Sequence, residues 1–396
     1  MKPWLISLSE LTPEQKKMVR ISPHESILIT GTPGSGKTQV LVHRAAFFLQ
    51  SHGVSPQSIR FFVLTDVMEE FIGSEIESLG YPREMVTTFD HWCRSFFVKN
   101  ISQDLPRVYI DGRIDYRKTR FAVLDALKKN RNFEKSLEFA LVDDGQDLTP
   151  EAFKILSLAA RYLTVFSDSQ QRLNEEGTPE SLILETLKIN KGNSSLEGDF
   201  RSPPSVAHLA ARFIIDDDFR YAYLYQVRTS QGPPEDPLCY VARSEEREML
   251  HLSQIVQQKL VQKNRVGILV PTNSLVHGLA KSLLDKGIKT EKAITMDAQN
   301  VIHSPYDFRN SLPKITTYSM VKGLTFDSVF LPQLTENSFA TIPSSQQQRL
   351  LFLGISRASR WVYLSTVKGR EFKEMATLKS AQSDGYLRIV HKVGFE

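Results

Sequence analysis

Eight consecutive residues, Gly31-Thr32-Pro33-Gly34-Ser35-Gly36-Lys37-Thr38, fit the spacing GxxxxGK[ST] of a phosphate-cradling loop. Glycines let backbone N–H groups turn inward on phosphate oxygens. Lys37 offers a point charge to the β- and γ-phosphates, and Thr38 offers a hydroxyl to magnesium. Hydrolysis of a nucleoside triphosphate also needs a carboxylate for the metal and a group that positions water. The apolar run Phe139-Ala140-Leu141-Val142 ends in Asp143-Asp144, which supplies both: Asp143 as metal ligand and Asp144 as candidate base.

These groups need rigid elements to hold them. Ser26-Ile27-Leu28-Ile29-Thr30 reads as a buried strand before the loop. Thr38 to Leu49, with apolar Val40, Leu41, Ala45, Phe48 and Leu49, reads as the helix after it, its positive end facing the same anion. Phe61 to Leu64 and Leu163 to Phe166 are further short strands. Thr-Pro-Glu recurs at Thr12, Thr149 and Thr178 as helix punctuation, a capping hydroxyl before proline. In the second half, strands are expected at Leu238–Ala242, Val266–Val270, Ser328–Leu331 and Trp361–Leu364, with helices over Ser244–Gln262 and Asn273–Lys286. Alternation of this kind predicts an α/β protein with parallel sheets. A loop near Asn190 to Glu197 divides it into domains 1–195 and 196–396.

Two segments interrupt the pattern. Val98 to Glu138 holds ten Lys/Arg against six Asp/Glu, a surplus of +4 equal to that of the whole chain. It reads either as a solvated helical insertion or as an electrostatic contact to phosphates. Thr290 to Pro313 reads as a loop-rich excursion.

At 396 residues, 41% hydrophobic and 24% charged, the chain is too long for one ordinary domain and too balanced for a fibre or a disordered tail. No apolar run reaches the roughly 18 residues of a membrane span, and Met1 to Ile6 does not resemble a secretory signal. Cys93 and Cys239 stand far apart, outside any zinc spacing, which favours a reducing cytoplasm.

Ordered along nearly the whole chain, further motifs resemble those of the UvrD/Rep-like branch of superfamily 1 DNA helicases. Leu11-Thr12-Pro13-Glu14-Gln15 is similar to the adenine-reading glutamine motif, which implies a nucleotide contact for Gln15. Thr65 and the run Thr88-Phe89-Asp90-His91-Trp92 sit where motifs Ia and Ib touch single-stranded DNA, which implies contacts from Thr65 and Thr88 and stacking by Phe89 and Trp92. Both aromatics also suit a core beneath a sheet. Val142 to Leu148 resembles motif II. Ser167-Asp168-Ser169-Gln170-Gln171 resembles motif III, with Gln171 as γ-phosphate sensor. Asp199-Phe200-Arg201-Ser202 is similar to motif IV, implying Phe200 on adenine and Arg201 at the γ-phosphate. Thr317 to Asp327, with Thr317 toward DNA and Gly323 toward nucleotide, resembles motif V. Arg349 to Ala358 resembles motif VI, with Arg357 as second arginine finger.

The resemblance implies two RecA-like domains with an ATP cleft between them, the cofactors ATP and Mg²⁺, and 3′ to 5′ movement on single-stranded DNA or from DNA ends. The chain also departs from the family. Asp144 replaces glutamate, Ser319 and Thr325 replace the histidine and glutamate of motif V, and motif III lacks its tryptophan. In motif Ia, Asp66 and Val67 replace asparagine and lysine. The large insertions of both lobes shrink to 98–138 and 290–313. A second expectation follows: an ATP-switched DNA-sensing subunit of a nuclease complex, as in Gabija-type anti-phage systems.

Overall fold

The computed structural model describes residues 4–109, 112–130, 133, 135–168, 176–189, 194–227, 235–294, 306–340 and 342–391. Short apolar runs form strands whose neighbours all run parallel, because most are followed by a helix that carries the chain back across the sheet. The first unit comprises α1 (Pro13–Arg20), β1 (Ile27–Gly31), α2 (Lys37–Ser51), β2 (Ile59–Val63), α3 (Asp66–Ser78), β3 (Val86–Thr88) and α4 (Phe89–Asn100). It continues with α5 (Tyr116–Lys129), β4 (Leu137–Val142), α6 (Pro150–Ala159), β5 (Ala160–Ser167), α7 (Glu180–Leu187) and β6 (Ser195–Leu196). Its sheet order is β3-β2-β4-β5-β1-β6. Leu28, Phe62, Val142, Phe153 and Val165 belong to one buried cluster beneath it.

The second unit comprises α8 (Pro204–Ala211), α9 (Asp217–Tyr225), β7 (Leu238–Ala242), α10 (Glu245–Val261), β8 (Val266–Val270), α11 (Asn273–Leu284) and β9 (Glu291–Lys292). After it come β10 (Lys314–Thr317), β11 (Phe326–Leu331), α12 (Ser344–Ile355), β12 (Ala358–Val367), α13 (Met375–Ser383) and β13 (Arg388–Val390). The order β13-β7-β12-β11-β8-β10-β9 is again parallel. Tyr240, Ile268, Phe330 and Tyr363 centre its core. No helix among the described residues is long and apolar enough to cross a membrane.

Three expectations shift. The compact units divide after Glu197, not 195, because β6 pairs with β1 and closes the first sheet. At the Thr-Pro-Glu sites, Thr12 caps α1 through its side chain, whereas Thr149 makes no side-chain cap. Thr178 donates its hydroxyl to the Leu148 carbonyl at 2.6 Å, so α7 starts one residue later behind Pro179. In the basic segment, α5 buries Val123, Leu124 and Leu127 in the first core. Its Arg120 pairs with Asp90 at 2.8 Å and Glu151 at 3.4 Å, and Lys129 with Asp125 at 2.6 Å. With Lys118 on Asp115, three of the ten basic side chains are thus answered by carboxylates among the described residues. Of the 290–313 excursion, the described part includes β9, paired to β10 and tied by the Lys314–Glu291 ion pair at 2.6 Å.

Candidate active site

Between β1 and α2 the chain must reverse within five residues. Gly34 and Gly36 do this in left-handed conformations, φ 80° and 86°, which side chains with a Cβ adopt poorly. A Cβ on Gly36 would also stand 2.4 Å from Gln15 Nε2. Gln15 braces the loop from outside. Its Nε2 donates to the Ser35 carbonyl at 2.9 Å and its Oε1 accepts from Thr12 N at 2.9 Å, while Thr12 Oγ1 accepts from Gln15 N at 3.1 Å. That reciprocal cap is a T-x-x-Q box. Each end of the amide makes one of these bonds, so Gln15 is fixed beside the loop with one further N–H on Nε2. Within the loop, Ser35 Oγ is buried without a hydrogen-bond partner, beside Gly31. An unsatisfied hydroxyl in a ring of turned amides suits a phosphate oxygen. Thr32 and Pro33 carry the backbone between these anchors.

Lys37 is held at the base of the loop. Its ammonium donates to the Gly31 carbonyl at 2.8 Å, the Thr32 carbonyl at 2.9 Å and Asp168 Oδ2 at 3.1 Å. Asp168 directly follows β5 and Gly31 ends β1, and the parallel register, Thr30 opposite Ser167, delivers both to one edge of the sheet. From the end of β4, Asp143 Oδ2 accepts from Thr38 Oγ1 at 3.0 Å. Burial, with the Asp144 charge beside it, pushes the Asp143 carboxyl up to about 7. A hydroxyl and a buried carboxylate short of positive charge fit a hard divalent cation. Asp144 itself adopts φ 51°, left-handed, and its Oδ1 accepts from Gln146 Nε2 at 2.9 Å. Gln146 Oε1 in turn accepts from Asp168 N at 2.9 Å. Motif spelling alone did not single out Gln146 or Asp168; their roles appear only when β4 and β5 lie side by side.

Asp143 carries a testable cost. Its folded-state value lies above the ordinary 3.8, so the folded protein keeps the proton between about 4 and 7 and loses stability as pH rises through that window. Asp143→Asn is expected to stabilise the metal-free protein by roughly 1–2 kcal/mol at pH 8 and by almost nothing at pH 4. Thermal melts at the two pH values check this.

The residues expected at DNA are placed as follows. Thr65 caps α3, accepting from Met68 N, and Thr88 caps α4, accepting from His91 N, both at 3.3 Å. Thr65 is half-buried, whereas Thr88 is buried. Phe89 is 4% exposed, its ring centroid 6.0 Å from that of Phe62 and 6.4 Å from that of Trp92. The first turn of α4 points it under the sheet, so the stacking role expected of Phe89 is corrected to a core one. Trp92 is half-buried against the same cluster. Asp66, the departure in motif Ia, faces His91 Nδ1 at 3.6 Å, with Glu69 Oε2 at 3.4 Å. Glu69 and Asp66 hold that imidazole above its ordinary value. These three side chains join the starts of α3 and α4 and have the donor types of a metal site. Gln171 lies outside the described residues.

In the second unit, Asp199 is fully buried and accepts from Arg201 N at 2.8 Å and Ser202 N at 3.2 Å, which sets the turn before α8. Phe200 is 44% exposed. Arg201 has Nε and Nη2 buried without hydrogen-bond partners. Arg357, between α12 and β12, is buried and donates to the Leu353 carbonyl at 3.1 Å and Ser356 Oγ at 3.2 Å. Thr317, at the end of β10, is buried with its Oγ1 3.1 Å from Ser319 Oγ, and Gly323 turns at φ 81°.

Comparison with known proteins adds an independent line. Residues 11–126 match the UvrD/REP helicase N-terminal domain family. The ATP-dependent DNA helicase PcrA of Bacillus subtilis is 27% identical over 201 residues, 46% of this chain and 26% of that protein. The PcrA of Staphylococcus aureus is 25% identical over 199 residues, 46% of this chain and 27% of its own length. A probable DNA helicase of Mycoplasma pneumoniae is 20% identical, covering 92% of this chain and 85% of that one. The chain thus spans about a quarter of the length of the PcrA proteins it matches.

Proposed function

We propose that this chain is a UvrD/REP-like superfamily 1 helicase, an ATP-hydrolysing motor acting on single-stranded DNA. The observation that carries this reading is the meeting of Lys37, Thr38, Asp143 and Asp168 at the ends of β1, β4 and β5. Thr38 and Asp143 would hold Mg²⁺, which when bound screens phosphate charge. The turned amides of Gly31 to Gly36 receive the phosphates, and Lys37 answers their charge. Asp144 orients a water for in-line attack, and Gln171 reports the γ-phosphate. From the second unit, Arg201 and Arg357 stabilise charge on the transferring group, and Phe200 offers an exposed ring to the adenine. Gln15 and Gly323 take their places at the nucleotide, and Thr65, Thr88, Trp92 and Thr317 remain the proposed strand contacts. Movement is read as 3′ to 5′, in the cytoplasm.

ATP turnover measured with and without single-stranded, tailed and blunt DNA tests this. Stimulation of about tenfold or more by single strands is expected, equivalent to some 1.4 kcal/mol off the barrier. Equal rates with and without DNA sink the motor reading.

The shorter Asp144 and the altered motif V favour a second reading, in which slow turnover switches a DNA sensor that signals to a nuclease. Co-purification of a nuclease whose cutting responds to ATP would select it.

A further inference from the structure

Lys37 has three N–H donors, and all three are already taken. Two go to neutral carbonyls and the third to the carboxylate of Asp168, whose side chain is 2% exposed. An arriving phosphate can reach the ammonium only by displacing one of these acceptors. Of the three, the carboxylate is the one a phosphate repels, since two anions then crowd one cation. Asp168 also does not stand alone. Its backbone N–H is bound by Gln146 Oε1, and the other end of that amide holds Asp144 Oδ1, each at 2.9 Å. Gln146 is itself 1% exposed, so it has little room to move independently of its partners. A path of hydrogen bonds, passing through the Asp168 side chain and its backbone N–H, therefore runs from the phosphate-binding cation to the residue proposed to orient water.

We propose that Asp168 is a latch on Lys37 which the incoming phosphate displaces, and that Gln146 passes this displacement to Asp144. Both are positioning residues. The carboxylate that orients water is then aimed only once phosphate occupies the loop. Before phosphate arrives, a left-handed backbone and the Gln146 amide hold the shorter Asp144 carboxylate in its resting orientation. This inference rests on the nucleotide reading above, but not on movement along DNA.

The test is equilibrium binding of a fluorescent, slowly hydrolysed ATP analogue with MgCl₂, beside ATP turnover, using the full chain. Asp168→Asn is expected to bind the analogue about three- to tenfold more tightly, because a competing anion is gone. Tightening is an outcome that damaged packing does not produce. Gln146→Leu is expected to leave analogue affinity within about twofold while kcat falls about tenfold and KM holds, as for a group acting after binding. Unchanged or weaker binding by Asp168→Asn overturns the latch, and equal loss in affinity and kcat for Gln146→Leu overturns the relay. Should Asp168→Asn fail to fold, Asp168→Ser and hydrogen exchange in the unaltered chain replace it. The Asp168 amide is expected to exchange at least about tenfold faster with analogue bound, and unchanged exchange overturns the proposal. Analogue binding without DNA-stimulated turnover would remove the motor and leave the latch. Stimulated turnover with Asp168→Asn at wild-type affinity would do the reverse.

Discussion

Lys37→Ala is expected to lower ATP turnover by about 10³-fold, the scale for removing a preorganised charge from a transferring group. The same change also harms stability, and the cause is local. Asp168 is buried and loses its cation, and breaking a buried pair from one side costs about 3–5 kcal/mol. Part of that is recovered by relaxation, since the Gly31 and Thr32 carbonyls lose a donor but keep access to water through the opened loop. Loss of activity in Lys37→Ala alone is therefore ambiguous between chemistry and unfolding. The double variant Lys37→Ala/Asp168→Asn separates them. It removes both charges, so its melting temperature is expected to return toward that of the parent while turnover stays lost. Recovery of turnover along with stability would mean that Lys37 serves only to neutralise Asp168.

The phosphate loop is legible in sequence because its whole constraint is local: left-handed glycines, one cation and one hydroxyl within eight residues, with a strand before and a helix after. The strand-end pair Asp143-Asp144 is legible for a related reason, since a parallel sheet always presents that end of its strands together. The Thr12-to-Gln15 cap was also readable, because T-x-x-Q before a helix has a local reason of its own. That local role is compatible with the nucleotide contact the family resemblance implies, since the amide keeps a second N–H. Phe89, by contrast, fails. An aromatic at the first position of a helix faces core or solvent according to how that helix lies on the sheet. Here α4 packs over β2, where Phe62 meets it. Thr178 is similar, for its hydroxyl is drawn thirty residues back to Leu148. Such long-range partners leave no trace in spacing, and the link from Lys37 through Asp168 and Gln146 to Asp144 is of the same kind.

Arg201→Ala is expected to reverse the pattern of Lys37→Ala: turnover down by about 10³-fold, as for an arginine finger, with stability unchanged or slightly higher. The turn carrying Arg201 is built by Asp199, which binds the backbone amides of residues 201 and 202 and accepts from Tyr223 Oη at 3.3 Å. None of these bonds involves the guanidinium. Two of its nitrogens are instead buried without acceptors, an arrangement that costs about 1–3 kcal/mol for each unsatisfied group. A side chain kept at a cost to the fold is best explained by what it does for a ligand. Arg357 makes the contrast, since it bonds the Leu353 carbonyl and Ser356 Oγ, and its removal is expected to lower the melting temperature as well as turnover. Lysine at 201 should not rescue, because a point charge cannot present the guanidinium's planar set of donors. Melts and turnover on the two alanine variants, side by side, decide the matter. An Arg201→Ala protein that melts several degrees lower with ATP turnover intact would make Arg201 a structural residue and leave the γ-phosphate without its proposed partner.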